Sequence, residues 1–240
     1  MNSNIPRVIH QIWSNIEEPL PDFFREFMKT WRKHHPDWKY IIWDNGKMNG
    51  FIQEFYPEYW ISYNSAKYNI QKWDIIRYVI LYHYGGMYVD VDYECRGSLE
   101  SLLENNKGCY FSGGPVFNEN SLDWENNFNN SLMISIPQHP FMRLIIDSAF
   151  CELMMKRNYP NKFIEVLSTT GPALLTKLYK TNADNSDVYI IPSMFVTPLN
   201  YSDVEQYMSG NTSPAFTKYI QDKLMKAVAV HYFMRTWLAG

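Results

Sequence analysis

Between Arg7 and Trp43 the hydrophobic period of the chain changes twice, and that change limits the fold more than any other feature. Arg7 to Trp13 is an Ile/Val-rich run just after Pro6 and predicts a strand. From Pro21 to His34 the apolar residues Phe24, Phe27, Met28 and Trp31 recur at helical spacing, with Pro36 marking the end of the helix. Trp38 to Trp43 then predicts a second strand. Strand, helix and strand at this spacing make a parallel crossover, in which the helix buries its apolar stripe against the sheet. The expected class is therefore α/β, and in open sheets of this kind ligands bind beyond the carboxyl ends of the strands.

The alternation continues downstream. A longer helix is expected from Ala66 to Tyr84, where Ile70, Trp73, Ile76, Val79 and Ile80 form an apolar stripe and Gly85 is a natural stop. Further strands are expected at Cys109–Ser112, Ser131–Ile136, Val188–Ile191 and Ala227–Phe233, and helices at Pro140–Lys156 and Gly171–Lys180. Asn126 to Asn130 reads as a polar loop. No linker or repeat divides the 240 residues, so residues 1–240 are expected to form a single domain. The 46% of hydrophobic and 17% of aromatic residues suffice for its core. A net charge of -3 without a long basic run argues against nucleic acid as the principal partner and favours a small ligand or glycan. Cys95, Cys109 and Cys151 match neither a disulfide framework nor a zinc pattern, so a reducing cytoplasm is the expected location. The start, MNSNIPRVIHQIW, lacks a basic stretch followed by an apolar core, and no run of 18 apolar residues occurs. Neither secretion nor membrane spanning is expected, while peripheral attachment to the inner face of a membrane stays open.

Tyr84 to Glu94, YGGMYVDVDYE, sets two acids into an apolar alternation. Asp is depleted in strands, and such local conflicts often mark functional sites. On a strand running through Asp92, the side chains of Asp90 and Asp92 share a face, with alpha carbons about 7 Å apart. Two carboxylates that close repel, and a hard divalent cation removes the conflict. Mg2+ or Mn2+ typically takes one or two carboxylates together with phosphate oxygens, so the pair predicts a partial metal cage. Taken alone, such a pair is more often solvated on an exposed strand, and the neighbours decide. A calcium loop starting at Asp90 requires Gly at its sixth position and Glu at its twelfth, where Cys95 and Ser101 stand. Phosphatases of the haloacid dehalogenase type carry the same acid spacing but favour Thr or Val where this chain has Glu94. Asp74 and Arg77, three apart on the preceding helix, are either an ordinary ion pair or a further border of the same pocket.

Lys72 to Asp92, KWDIIRYVILYHYGGMYVDVD, resembles the signature of glycosyltransferases with a DXD sugar-binding region. Within these it is most similar to family 32, which includes yeast Golgi mannosyltransferases and bacterial capsule and lipopolysaccharide enzymes. Four other blocks carry the similarity in order: IPRVIHQIW near the start, NSLMISIPQHP from Asn130, Thr170-Gly171-Pro172, and His231 with Trp237 in HYFMRTW. The resemblance implies a GT-A fold, a Rossmann-like mixed sheet flanked by helices. It also implies a nucleotide-sugar donor, UDP-linked by family expectation, with Mn2+ or Mg2+ as cofactor. The implied reaction is hexose transfer, with retention of configuration, to a hydroxyl of a surface polysaccharide or lipid-linked glycan. By this resemblance Asp90 and Asp92 hold metal and donor with His231 as third metal ligand, while Asp74 and Arg77 contact the donor sugar and share in catalysis. Trp13 would stack on the base, Thr236 and Trp237 would close over the diphosphate, and Tyr88, Asn130 and Gly171 would complete the donor site. The family pattern implies no dedicated carboxylate base. Thr236 stands where Ser is common and keeps the hydroxyl. Lys72 and Trp73 replace the small residues usual before the acid, which alters the expected sugar pocket. A catalytically silent glycan- or nucleotide-binding module is the alternative from another class, and intact Asp90, Asp92, Arg77 and His231 argue against it. A toxin-like effector that glycosylates protein is a second, disfavoured by the short chain without a delivery domain.

Overall fold

A computed structural model describes residues 4–114, 128–155, 157–210 and 212–234. Its strands are β1 (Val8–Ile12), β2 (Lys39–Trp43), β3 (Gly86–Val89), β4 (Tyr93–Cys95), β5 (Cys109–Gly113), β6 (Phe128–Ser135), β7 (Val188–Ile191) and β8 (Ala229–His231). The helices are α1 (Asp22–His34), α2 (Asn45–Phe55), α3 (Trp60–Asn64), α4 (Asn69–Tyr84) and α5 (Pro140–Met154), followed by α6 (Lys162–Thr169), α7 (Pro172–Thr181), α8 (Ser193–Val196), α9 (Tyr201–Met208) and α10 (Pro214–Leu224). Six strands form a sheet in the order β2-β1-β3-β6-β5-β7, and β4 pairs with β8 in a separate two-stranded sheet. The crossover expected from the first residues is present: β1 and β2 run parallel from Val8 opposite Lys39 to Ile12 opposite Trp43. Within the six-stranded sheet only β6 runs against its neighbours, antiparallel to β3 and β5, and the β4–β8 pair is also antiparallel.

Helices cover both faces of the sheet, so its strands are apolar on both sides. Met87 and Val89 pack on one face with Ile9, Leu132 and Ile134, while Tyr88, Phe111 and Met133 pack on the other. Helix α4 lies against that second face and is buried nearly all round, with Ile75, Ile76, Val79 and Ile80 all fully enclosed. Burying each such side chain contributes about 1.5–3 kcal/mol, so α4 is among the best-anchored elements of the fold. It begins at Asn69 rather than Ala66, because the Gln71 side chain accepts from the Tyr68 N–H at 3.1 Å and sets the first turn there.

Gly85 and Gly86 turn α4 directly into β3. Both have positive φ, 63° and 90°. A Cβ on Gly86 would lie 2.5 Å from the Val8 carbonyl oxygen, and one on Gly85 would lie 2.8 Å from that of Ser135. Only glycine fits this close passage.

Several expectations about element limits are corrected. Strand β3 ends at Val89, not Asp92. The first three residues of β6 come from the segment expected as a loop, and β8 is only three residues long. Helices α2, α3, α6, α8, α9 and α10 and strand β4 were not expected.

Candidate active site

The cleft of interest has a volume of about 400 Å³ and opens where β1 and β3 end. Because β6 is antiparallel, its first residues stand beside the last residues of β3, and the Asp90 N–H donates to the Ser131 carbonyl at 2.8 Å. The Asp90 carbonyl accepts from the Tyr93 N–H at 3.3 Å, which closes a turn over Val91 and Asp92. Asp90 and Asp92 therefore do not alternate on one extended strand. Asp is a poor strand residue and a good turn residue, and the turn brings both carboxylates to one side.

The turn leads into β4, and β4 brings in the far end of the chain. Tyr93 pairs with His231 across the small sheet, with the two rings stacked at 4.4 Å. His231 Nε2 lies 3.2 Å from Asp92 Oδ1, and ligand atoms of Asp90, Asp92 and His231 all lie within 4.8 Å of one another. This is the one group of three or more potential metal-ligating residues found among the described residues. Burial opposes the charge on Asp92, yet the nearby His231 imidazole and the Met234 N–H, 2.9 Å away, hold its carboxyl below the usual carboxylate range. Asp90 is the more open acid at 27% side-chain exposure. Burial pushes its pKa up, with Arg77 opposing and the Asp92 charge adding to the rise. One acid held ionised beside a second whose charge needs compensation is a donor set that fits a divalent cation.

Behind these acids lies a buried network. Arg77 Nη2 is 3.1 Å from Asp74 Oδ1, and Nη1 is 3.2 Å from both Asp90 Oδ1 and the Asn130 carbonyl. Its Nε donates to the Trp73 carbonyl, and the guanidinium lies over the Tyr88 ring at 4.9 Å. The Tyr88 hydroxyl donates to Asp90. Asp74 also accepts from Asn130 Nδ2 and from the Thr170 hydroxyl, each at 2.9 Å. Burial pushes its carboxyl up to about 6, against the opposing effects of Arg77, Thr170 and Asn130. The Asp74–Arg77 pair is thus no surface ion pair: both side chains are about 5% exposed.

The structure brings Trp13, Asp74, Arg77, Tyr88, Asn130 and the Asp90–Asp92–His231 trio to one cleft. Trp13 is half-buried on its wall, with Nε1 donating to the Glu18 carbonyl at 3.0 Å. Gly171 does not line the cleft. It starts α7 with its backbone against α6, where a Cβ would meet Leu167 Cα at 3.0 Å. Thr236 and Trp237 lie outside the described residues, although the segment leading to them is fastened to Asp92 through the N–H groups of Tyr232 and Met234. Sequence reasoning missed the parts played by Tyr78 and Thr170. The Tyr78 hydroxyl bonds both Asn130 and the Thr170 carbonyl, and its position one turn after Asp74 on an apolar helix was the available signal.

Residues 21–108 match the family described as the glycosyltransferase sugar-binding region containing the DXD motif. The chain is 33% identical over 175 residues to inositol phosphoceramide mannosyltransferase 1 of Schizosaccharomyces pombe, covering 72% of this chain and 50% of that protein. It is 32% identical over 205 residues to an uncharacterised glycosyltransferase of Acanthamoeba polyphaga mimivirus, covering 83% and 76%. The chain spans about half the length of the fission yeast relatives it matches. Its backbone matches the UDP-bound glycosyltransferase domain from the YGT toxin with a TM-score of 0.55, over 92% of this chain and 90% of that one, at 11% identity. That likeness shows architecture alone. With described residues from all five sequence blocks lining one acidic cleft, the chain belongs to the DXD-containing glycosyltransferases of the family 32 type and has their GT-A fold.

Proposed function

We propose that this chain is a metal-dependent hexosyltransferase. It moves a sugar from a nucleotide-sugar donor to a hydroxyl of a glycan or glycolipid, with retention of anomeric configuration. The observation that carries this is the meeting of Asp90, Asp92 and His231 within 4.8 Å, next to the buried Asp74–Arg77 pair. Two carboxylates suit Mg2+ or Mn2+, and the added imidazole favours the softer Mn2+. A cation bound there would offset the charge that develops on the leaving diphosphate.

The chain's own residues supply the positioning. Arg77 holds Asp90 and Asp74 on its two terminal nitrogens, so both acids face the cleft in fixed orientation. Asp74, fixed also by Asn130 and Thr170, is placed to accept from donor-sugar hydroxyls. Trp13 offers its ring to the base. The acceptor hydroxyl would attack from the leaving-group side and pass its proton to the departing diphosphate oxygen, so no carboxylate base is assigned. The yeast relatives are named for mannosyl transfer to inositol phosphoceramide, which supports a glycolipid acceptor here. No helix among the described residues is long and apolar enough to cross a membrane. Peripheral attachment at the cytoplasmic face of a membrane belongs to the same proposal.

A thermal-shift screen of UDP- and GDP-sugars, each with and without Mn2+, tests the proposal. A ligand at a hundredfold excess over its dissociation constant stabilises by about 2.7 kcal/mol. One nucleotide sugar should raise the melting temperature only when Mn2+ is present. No Mn2+-dependent rise for any of them would overturn the proposal.

A further inference from the structure

Tyr78 stands one turn after Asp74 on α4, so both side chains leave the same face of the helix. The Tyr78 side chain is fully enclosed and does not itself line the cleft. Its hydroxyl has one hydrogen to give, and the Thr170 carbonyl takes it at 2.6 Å. Burial pushes the phenol's pKa well above the usual tyrosine range, so that hydrogen stays in place. Towards Asn130 the Tyr78 oxygen can therefore only accept.

That restriction fixes the Asn130 amide. Its Nδ2 donates to the Tyr78 hydroxyl at 2.8 Å and to Asp74 Oδ1 at 2.9 Å, which uses both amide hydrogens. Turned over, the amide would set its oxygen against the Asp74 carboxylate and against a phenol oxygen whose hydrogen is already committed. Among the described residues nothing donates to Asn130 Oδ1, and the oxygen is not sealed from solvent, so it is the atom that Asn130 offers to the cleft it lines. An amide oxygen can only accept. Phosphate oxygens have no hydrogen to give it, whereas a sugar hydroxyl has one, and Asn130 adjoins Asp74, the residue placed for donor-sugar hydroxyls.

We infer, on the footing of the transferase function proposed above, that Tyr78 is a positioning residue for donor-sugar recognition. It holds the Asn130 amide with Oδ1 towards the cleft, where that oxygen takes a hydroxyl of the donor sugar. Without the Tyr78 hydroxyl the amide keeps one anchor, at Asp74, and can swing about its Cβ–Cγ bond.

The test compares calorimetric binding of a nucleotide sugar and of its diphosphate in Mn2+ without acceptor, using UDP-glucose with UDP and GDP-mannose with GDP. The pair that wild type binds more tightly is carried forward. Tyr78→Phe should weaken the nucleotide sugar about three- to tenfold, the worth of one hydrogen bond, and leave the diphosphate within about twofold. Asn130→Ala should show the same split. The double variant Tyr78→Phe/Asn130→Ala should match Asn130→Ala, because the hydroxyl acts through the amide alone. Should Tyr78→Phe by itself fail to fold, the double variant, which also removes the stranded amide N–H, carries the comparison with Asn130→Ala. An unchanged nucleotide-sugar affinity in Tyr78→Phe, an equal loss for the diphosphate, or a double variant clearly weaker than Asn130→Ala would overturn the inference. A hydroxyl supplied by the acceptor instead of the donor would give the first of these results. Wild type that binds neither member of either pair in Mn2+ would instead count against the transferase function, and the inference would fall with it.

Discussion

Replacing Asp74 with Asn separates stability from function at this site. Asp74 is 4% exposed, and its carboxylate meets Arg77 Nη2 at 3.1 Å and Asn130 Nδ2 and the Thr170 hydroxyl at 2.9 Å each. Burial nevertheless lifts its pKa from 3.8 to about 6. The folded-state value lies above the unfolded one, so the group's contribution to stability is complete below the unfolded pKa and is lost as pH rises through about 6. A rise of that size corresponds to about 3 kcal/mol between the two protonation states. Asn has the same shape without the charge: its oxygen can face Asn130 and Arg77, and its amide can donate to a rotated Thr170 hydroxyl. In chelator-treated protein, Asp74→Asn should therefore be more stable than wild type near neutral pH, by up to about 3 kcal/mol, with the gap closing towards about pH 4. Urea denaturation across that range is the assay. Transfer activity should fall sharply even as stability rises, the usual trade at a functional site. A variant less stable than wild type at neutral pH, or a gap that does not change with pH, would refute the electrostatic reasoning.

Arg77→Met leaves two acids without the cation 3.1 and 3.2 Å from them, and should cost about 3–5 kcal/mol in urea denaturation. A cost below about 1 kcal/mol would show that the acids depend on other partners. Gly86→Ala places a methyl 2.5 Å from the Val8 carbonyl at a φ of 90°, so a loss of at least about 1–3 kcal/mol is expected; an unchanged thermal midpoint would contradict the close passage. His231→Ala should raise the Mn2+ concentration needed for donor binding without unfolding the protein. Superimposable Mn2+ titrations would confine His231 to packing on Tyr93.

The parallel crossover was legible because two strand runs and a helical stripe lie close together in sequence, and β1, α1 and β2 formed where their periods placed them. Val188–Ile191 was likewise bounded by turn signals and became β7 unchanged. Strand β4 was not legible: Tyr93–Cys95 is three residues long and exists through its pairing with β8, more than 130 residues away. The same pairing carries His231 to Asp92, so the third corner of the site came from family resemblance rather than local pattern. The two aspartates were singled out for running against strand propensity, and the structure resolves that conflict with a turn. Helices α8 to α10 escaped because they are short or carry weak apolar stripes. Tyr78 was hidden for another reason: a polar residue in an apolar helix shows its role only once its partners are known. Thr170, just past the end of α6, was singled out only as part of a family block, and its bond to Asp74 had no local signal.

In the proposed mechanism Asp90, Asp92 and His231 form one metal-dependent donor site. Its most direct test is calorimetric titration of the nucleoside diphosphate selected by the donor screen into wild type and Asp92→Asn, each with and without Mn2+. Wild type should bind at least about tenfold more tightly with Mn2+, and Asp92→Asn should show about a twofold gain or less. Equal affinities with and without Mn2+ in wild type, or an undiminished Mn2+ effect in Asp92→Asn, would contradict the account.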